Sequence, residues 1–328
     1  MLPDDVADAI VRMGLAPARR ALTGEPLTGG VSSEIWRIEA DAGPVCVKRA
    51  LARLNVAAVW EAPVERNRYE RAWLQRASRI VPAAVPAVLG HDDRAGLFAM
   101  TWYDPATHPV WKAELREGRV DVPFAAAVGD TLGRIHAATA DDADIAARFD
   151  TATLFAALRL DPYLRATAAA HPRHAARLDA LYERTASTRR VLVHGDVSPK
   201  NMLVGACGPV LLDAECATCG DPAFDLAFCA NHLLLKVAWK PVHRAAYLAA
   251  LDALVAAYLA HVTWEAPAGV EARAASLLPA LLLARVDGKS PVEYLDEDAR
   301  GRVRSAACWL LDATPPVRIA EVSGTWMR

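Results

Sequence analysis

The chain has 328 residues, 53% hydrophobic and 23% charged, with a formal net charge of −2, a balance that excludes a disordered chain and offers nothing to a nucleic-acid backbone. Six cysteines, at 46, 207, 216, 219, 229 and 308, follow no disulfide-framework spacing, so a reducing cytoplasm is the expected setting. The opening Met1-Leu2-Pro3-Asp4-Asp5 lacks the basic and apolar regions of a signal peptide, no apolar run looks long enough to span a membrane, and the length suits one large domain or two lobes.

Residues 6–15 read as a short leading helix, with Pro3 before it and Gly14 near its end. Residues 27–38 read as strand, glycine turn, strand. Backbone N–H groups in such a turn can approach phosphates closely, which makes Gly29, Gly30 and Ser32 candidate nucleotide contacts; a plain hairpin explains the two glycines equally well. Residues 44–49 form a short β-rich run holding Lys48. A helix follows Pro63 at about 64–78, with Tyr69, Ala72, Trp73 and Arg76 at helical spacing and two acids, Glu65 and Glu70. Residues 82–91 turn the chain back through another strand, and 96–103 read as a second apolar strand. Pro105 and Pro109 punctuate the connection after it. The remainder reads as helical: 124–139, 153–164 and 174–188, then about 223–236, 242–261, 270–286 and 298–313, with abundant alanine. There is no internal repeat.

Between these two sets of helices lies the most informative stretch, His194-Gly195-Asp196-Val197-Ser198-Pro199-Lys200-Asn201, followed by Asp213-Ala214-Glu215. Val191-Leu192-Val193 enters this loop, Met202-Leu203-Val204 leaves it, residues 205–209 turn, and Val210-Leu211-Leu212 delivers Asp213. The spacing suits phosphoryl transfer. An aspartate can accept the proton of a substrate hydroxyl, an asparagine five residues later can reach a metal, and an acid beyond the next strands can hold that metal against ATP phosphates. Singly, HGD or DxE is a chance match; together, between apolar strands, they point to a site.

These residues resemble the aminoglycoside phosphotransferase and choline kinase superfamily, whose loop reads H-G-D-x-x-x-x-N and whose metal-binding segment reads D-x-E or D-x-D. Gly220-Asp221-Pro222-Ala223-Phe224-Asp225-Leu226-Ala227 resembles the segment that follows in that family. The resemblance implies an α+β, bilobal, protein-kinase-like fold. A small β-rich N-lobe, 1–104, would bind nucleotide, and a large, mostly helical C-lobe, 105–328, would carry catalysis and the substrate. It implies a kinase that uses ATP and Mg2+ to phosphorylate a hydroxyl of a small molecule, whether sugar, aminoglycoside-like compound or amino-alcohol. Asp196 would be the catalytic base, Asn201 and Asp213 would hold magnesium, and Glu215 would assist directly or through water. Asp225 would pin the loop backbone, and His194 would sit at the loop base. Lys48 would contact the ATP phosphates, oriented by Glu70 in preference to Glu65. Met100 and Trp102 would cover apolar surface at the hinge, where backbone groups read adenine.

Several features stay open at this point. Lys200 reads either as facing phosphate or as solvated. The stretch from Lys48 to Glu70 resembles methylthioribose kinases, which usually lack an asparagine at the position of Asn201. Asp287, Glu293, Asp296, Glu297 and Asp298 form an acidic cluster, suited to a polycationic substrate or to a solvated turn. Cys216 and Cys219 read as ordinary thiols, and His171 and His174 as solvated or helix-end residues. A nucleotide-binding pseudokinase is the alternative that Asp196, Asn201 and Asp213 argue against. A protein kinase is the other, and only twelve positions separate Asp213 from Asp225, too few for a long regulated loop. The expected partner is a small-molecule hydroxyl substrate, with no nucleic acid and no membrane; the oligomeric state is left undetermined.

Overall fold

The computed structural model describes residues 2–19, 22–27, 33–51 and 63–327. Helix α1 (Asp4–Arg12) begins after Pro3, with Asp4 and Asp5 in its first turn and Arg12 in its last, charges that complement the helix dipole. Beside it lies a five-stranded antiparallel sheet of β1 (Thr23–Pro26), β2 (Ser33–Ala40), β3 (Gly43–Ala50), β4 (Val88–Asp92) and β5 (Leu97–Thr101), in the order β1-β2-β3-β5-β4. Strand β3 shows how the sheet separates core from site. Val45 and Val47 join a small core with Val6, Ala9 and Ile10 of α1, while Cys46 and Lys48, one residue out of phase, face the other side. Helix α2 (Arg66–Ala77) belongs to that other side and buries Ala72, Trp73, Leu74 and Ala77 in the main core.

The rest is mostly helical: α3 (Trp111–Arg116), α4 (Val122–Ala137), α5 (Ala143–Arg148), α6 (Ala152–Phe155), α7 (Ala166–Ala170) and α8 (Ala175–Ser187). The single helix expected over 153–164 is instead one α-turn, α6, running into a wide π-helix, Ala156–Arg165. Pro162 lies inside that wide segment; it has no N–H to give and its ring crowds the preceding turn, which a widened helix relieves.

Four short strands follow: β6 (Val191–Val193), β7 (Met202–Gly205), β8 (Gly208–Leu211) and β9 (Thr218–Gly220). Strand β6 pairs with β9, and β7 with β8, both antiparallel. Then come α9 (Pro222–Trp239), α10 (Arg244–Leu259), α11 (Pro267–Asp287), α12 (Glu297–Asp312) and α13 (Ile319–Thr325). Asp221 caps α9 by accepting from Ala223 N at 3.0 Å. Nearly every residue of α9 is buried, with α10, α11 and α12 packed around it. By length and composition alone, Pro241–Leu259 and α11 are apolar enough to cross a membrane, a test that a core helix also meets. In α11 67% of the apolar window is buried inside the fold, as a central core helix requires.

Candidate active site

Strand β6 runs into a loop that α9 holds in place. Asp225, wholly buried, accepts from His194 N at 2.7 Å and Gly195 N at 2.9 Å, and lies 3.3 Å from His136 Nε2. The His194 ring is fixed as well. Asp196 N–H can only donate, so it donates to Nδ1 at 3.1 Å, and the ring proton on Nε2 goes to the Leu212 carbonyl at 3.1 Å. Burial lowers the pKa of this imidazole and keeps it neutral. Gly195 has φ +79°, and a Cβ there would lie 2.7 Å from the Cys216 carbonyl oxygen, so the turn admits only glycine.

The loop presents Asp196 to a cleft of about 820 Å³ lined by both the sheet and the helical region. Its Oδ2 lies 2.9 Å from Arg159 Nη2 and 3.3 Å from Lys200 Nζ. Burial alone would raise its pKa, but Arg159 first and Lys200 second more than offset that and hold the carboxyl well below the usual range. Asn201 closes the loop by donating from Nδ2 to the Asp196 carbonyl at 3.1 Å, which leaves its amide oxygen to accept. Asp213 has φ +66°, a conformation uncommon for a residue other than glycine and typical of functional sites.

Lys48 Nζ donates to Asp213 and lies 2.7 Å from Glu70 Oε2. Burial opposes its charge, yet Asp213, Glu70 and Glu215 raise its pKa above the ordinary lysine value. Glu70 is therefore the α2 acid that meets Lys48. Glu215 is held at 2.9 Å by Arg66, a fully buried residue of α2. Two buried ion pairs thus tie α2 to β3 and to the segment after β8. Met100 and Trp102 line the cleft beside Ile35 and Cys46. Gly29, Gly30 and Ser32 lie outside the described residues.

Other expectations change. Lys200 keeps about half of its side chain exposed, 52%, yet faces Asp196 and is not simply solvated. The acidic cluster divides. Asp287 pairs with Arg304 at 2.6 Å and His171 at 2.8 Å, Glu293 pairs with Lys112, and Asp296 caps α12. Of these acids only Glu293 lines the cleft. Of the two readings for His171 and His174, solvated or helix-end, the structure gives helix ends: His171 follows α7 and lies 2.8 Å from Asp287, and His174, buried, precedes α8. Arg159, His232, Lys236 and Arg285 also line the cleft, and no sequence motif marks them. Lys236 alone leaves a trace, as a cation inside the apolar run Leu233-Leu234-Leu235-Lys236-Val237-Ala238. Among the described residues, no three His, Cys, Asp or Glu side chains gather into a metal cluster.

No curated protein sequence matches this chain. Among solved structures it is similar to a choline/ethanolamine kinase family protein from Mesorhizobium loti, at 16% identity over 98% of each chain with a TM-score of 0.56. It is similar to choline kinase from Cryptosporidium parvum, at 11% identity over 94% of this chain and 96% of that one, with a TM-score of 0.58. An aminoglycoside phosphotransferase from Alicyclobacillus acidocaldarius gives 15% identity, 95% and 96% coverage and a TM-score of 0.51. Identities this low speak to fold alone, the bilobal protein-kinase-like fold with a small β-rich N-lobe and a larger helical C-lobe. The sequence itself matches a family over residues 23–259, most of its length, and by that match the chain belongs to the phosphotransferase enzyme family.

Proposed function

We propose that the protein transfers the γ-phosphoryl group of ATP, with magnesium, to a hydroxyl of a small molecule. The observation that carries this reading is Asp196, an ionised carboxylate on a pinned loop, open to the same cleft as Lys48 and Asp213. The acceptor oxygen forms a bond to the γ-phosphorus while the bond to the β–γ bridging oxygen breaks. The hydroxyl proton passes to Asp196, and ADP leaves. Because Arg159 and Lys200 make Asp196 a weak base, it orients the hydroxyl first and takes the proton late, once transfer has made that proton acidic. Lys48, anchored by Glu70, holds the α- and β-phosphates as a point charge. Lys200 offers positive charge to the transferring group.

The oxygen donors of Asn201, Asp213 and Glu215 suit magnesium, a hard cation. A bound magnesium ion supplies neutralisation of phosphate charge. Residues 1–104 serve as the nucleotide lobe, with Met100 and Trp102 at the adenine, and 105–328 as the catalytic lobe. A small acceptor is favoured over a protein because the segment between Asp213 and Asp225 is buried and partly paired as β9, leaving no free activation loop. All six cysteines are unpaired, which fits a cytoplasmic setting.

The test is ADP release from Mg-ATP across a panel of hydroxyl compounds, with Asp196→Asn as control. Release that depends on one compound and vanishes in the variant supports the reading. Release that persists undiminished in Asp196→Asn contradicts it.

A further inference from the structure

The acceptor end of the cleft carries positive charge that no protein carboxylate matches. Helix α9 contributes Lys236, beside a His232 that burial keeps neutral, α11 contributes Arg285, and the chain after α11 contributes Tyr294. Lys236 is only 1% exposed, with its ammonium 3.6 Å from the Tyr294 ring centroid and 4.7 Å from that of Trp239. It makes no ion pair among the described residues, and Glu293, the acid whose charge reaches it, is bound to Lys112. Arg285 has only neutral partners: the Ser290 carbonyl, Ser290 Oγ at 3.0 Å and Tyr163 Oη at 3.1 Å, with its Nε unpartnered. The Tyr294 hydroxyl is buried without a partner. Arg159, the remaining cation here, is taken by Asp196.

A buried Lys236 and a part-buried Arg285 without counter-charges cost the fold stability, and ring contacts offset this only in part. A protein keeps them where a ligand completes the pairing. We propose that the acceptor is a hydroxylated small molecule bearing an oxyanion, a carboxylate or a phosphate, bound by Lys236 and Arg285 with the Tyr294 hydroxyl as a further donor, its hydroxyl facing Asp196. This rests on the kinase reading above and narrows it. An ammonium-bearing acceptor would meet like charge at the same position.

The test uses the full chain with Mg-ADP for binding and Mg-ATP for turnover. Probes are size-matched: glycerate and gluconate, glycerol phosphate and glucose phosphates, neutral glycerol and glucose, and the amines choline and kanamycin. The expected result is a melting shift and ADP release with anionic members only; the set that responds, carboxylates or phosphates, names the oxyanion. Lys236→Met and Arg285→Met each raise KM for the active anion by about 10- to 100-fold, the loss of one charged hydrogen bond, with ATP binding retained. Lys236→Gln carries the test should Lys236→Met fail to fold. Silence from every anionic probe, an equal response to neutral or amine probes, or an unchanged KM in the foldable variants overturns the proposal. Failure of the kinase reading itself is distinct: anionic probes would then still shift the melt with Mg-ADP, while no probe of any charge released ADP from Mg-ATP.

Discussion

At the scale of single residues, Arg159 and Lys200 hold the Asp196 carboxyl below its usual range. Replacing Asp196 by Asn removes the proposed proton acceptor but not the loop, so turnover is expected to fall roughly 10²- to 10⁴-fold, with nucleotide binding intact by titration calorimetry. The sign of the Arg159 effect follows from its charge. Burial raises the Asp196 pKa and Arg159 lowers it, so Arg159→Met leaves burial less opposed. The acidic limb of the kcat/KM profile then moves to higher pH than in wild type; an unmoved limb would contradict the assignment.

Lys236 makes the opposite case. Burial first, then Lys112 and Arg285, against Glu293, push its pKa down to about 7 from an ordinary 10.5. The unfolded chain therefore binds this proton more tightly, and the cost to folding is full below the folded value and fades as pH rises towards 10.5. Lys236→Met is expected to raise stability at neutral pH by roughly 1–3 kcal/mol, with the gain over wild type closing at alkaline pH. Denaturant melts at several pH values check it.

At the scale of elements, α2 ties the sheet, through Glu70 and Lys48, to the segment carrying Asp213 and Glu215. Arg66→Met would leave Glu215 buried without its cation, at an expected cost of roughly 3–5 kcal/mol, measurable by denaturant unfolding. Elements with strong periodicity were legible in the sequence, among them α4 and α9 to α12, because apolar faces bury wherever they fold. Others were not. The first strand was expected from residue 27 but lies at Thr23–Pro26, an edge strand of mostly exposed residues with no apolar alternation to reveal it. Strand β9 is Thr218-Cys219-Gly220, too short and glycine-ended to read as a strand without its partner β6. The π-helix was hidden because 153–164 reads as one ordinary helix straight through Pro162 and no residue in it marks the wider turns, from which Arg159 reaches the Gly195 carbonyl.

At the scale of the whole molecule, the two ends of the cleft differed in legibility for a topological reason. Asp196, Asn201 and Asp213 lie within eighteen residues, so their spacing alone outlines a site. The proposed acceptor end is assembled from the π-helix, α9, α11 and the chain beyond it, and only folding brings those together. Local spacing outlines the proposed chemistry, and long-range packing assembles the proposed acceptor site. The central claim is phosphoryl transfer to a small molecule. Its most direct test is transfer of labelled γ-phosphate from Mg-ATP into the small-molecule and protein fractions of a cell extract, comparing wild type with Asp196→Asn. Label is expected in the small-molecule fraction with wild type and none above background with the variant. Label confined to protein, or label equal in the two enzymes, would contradict it.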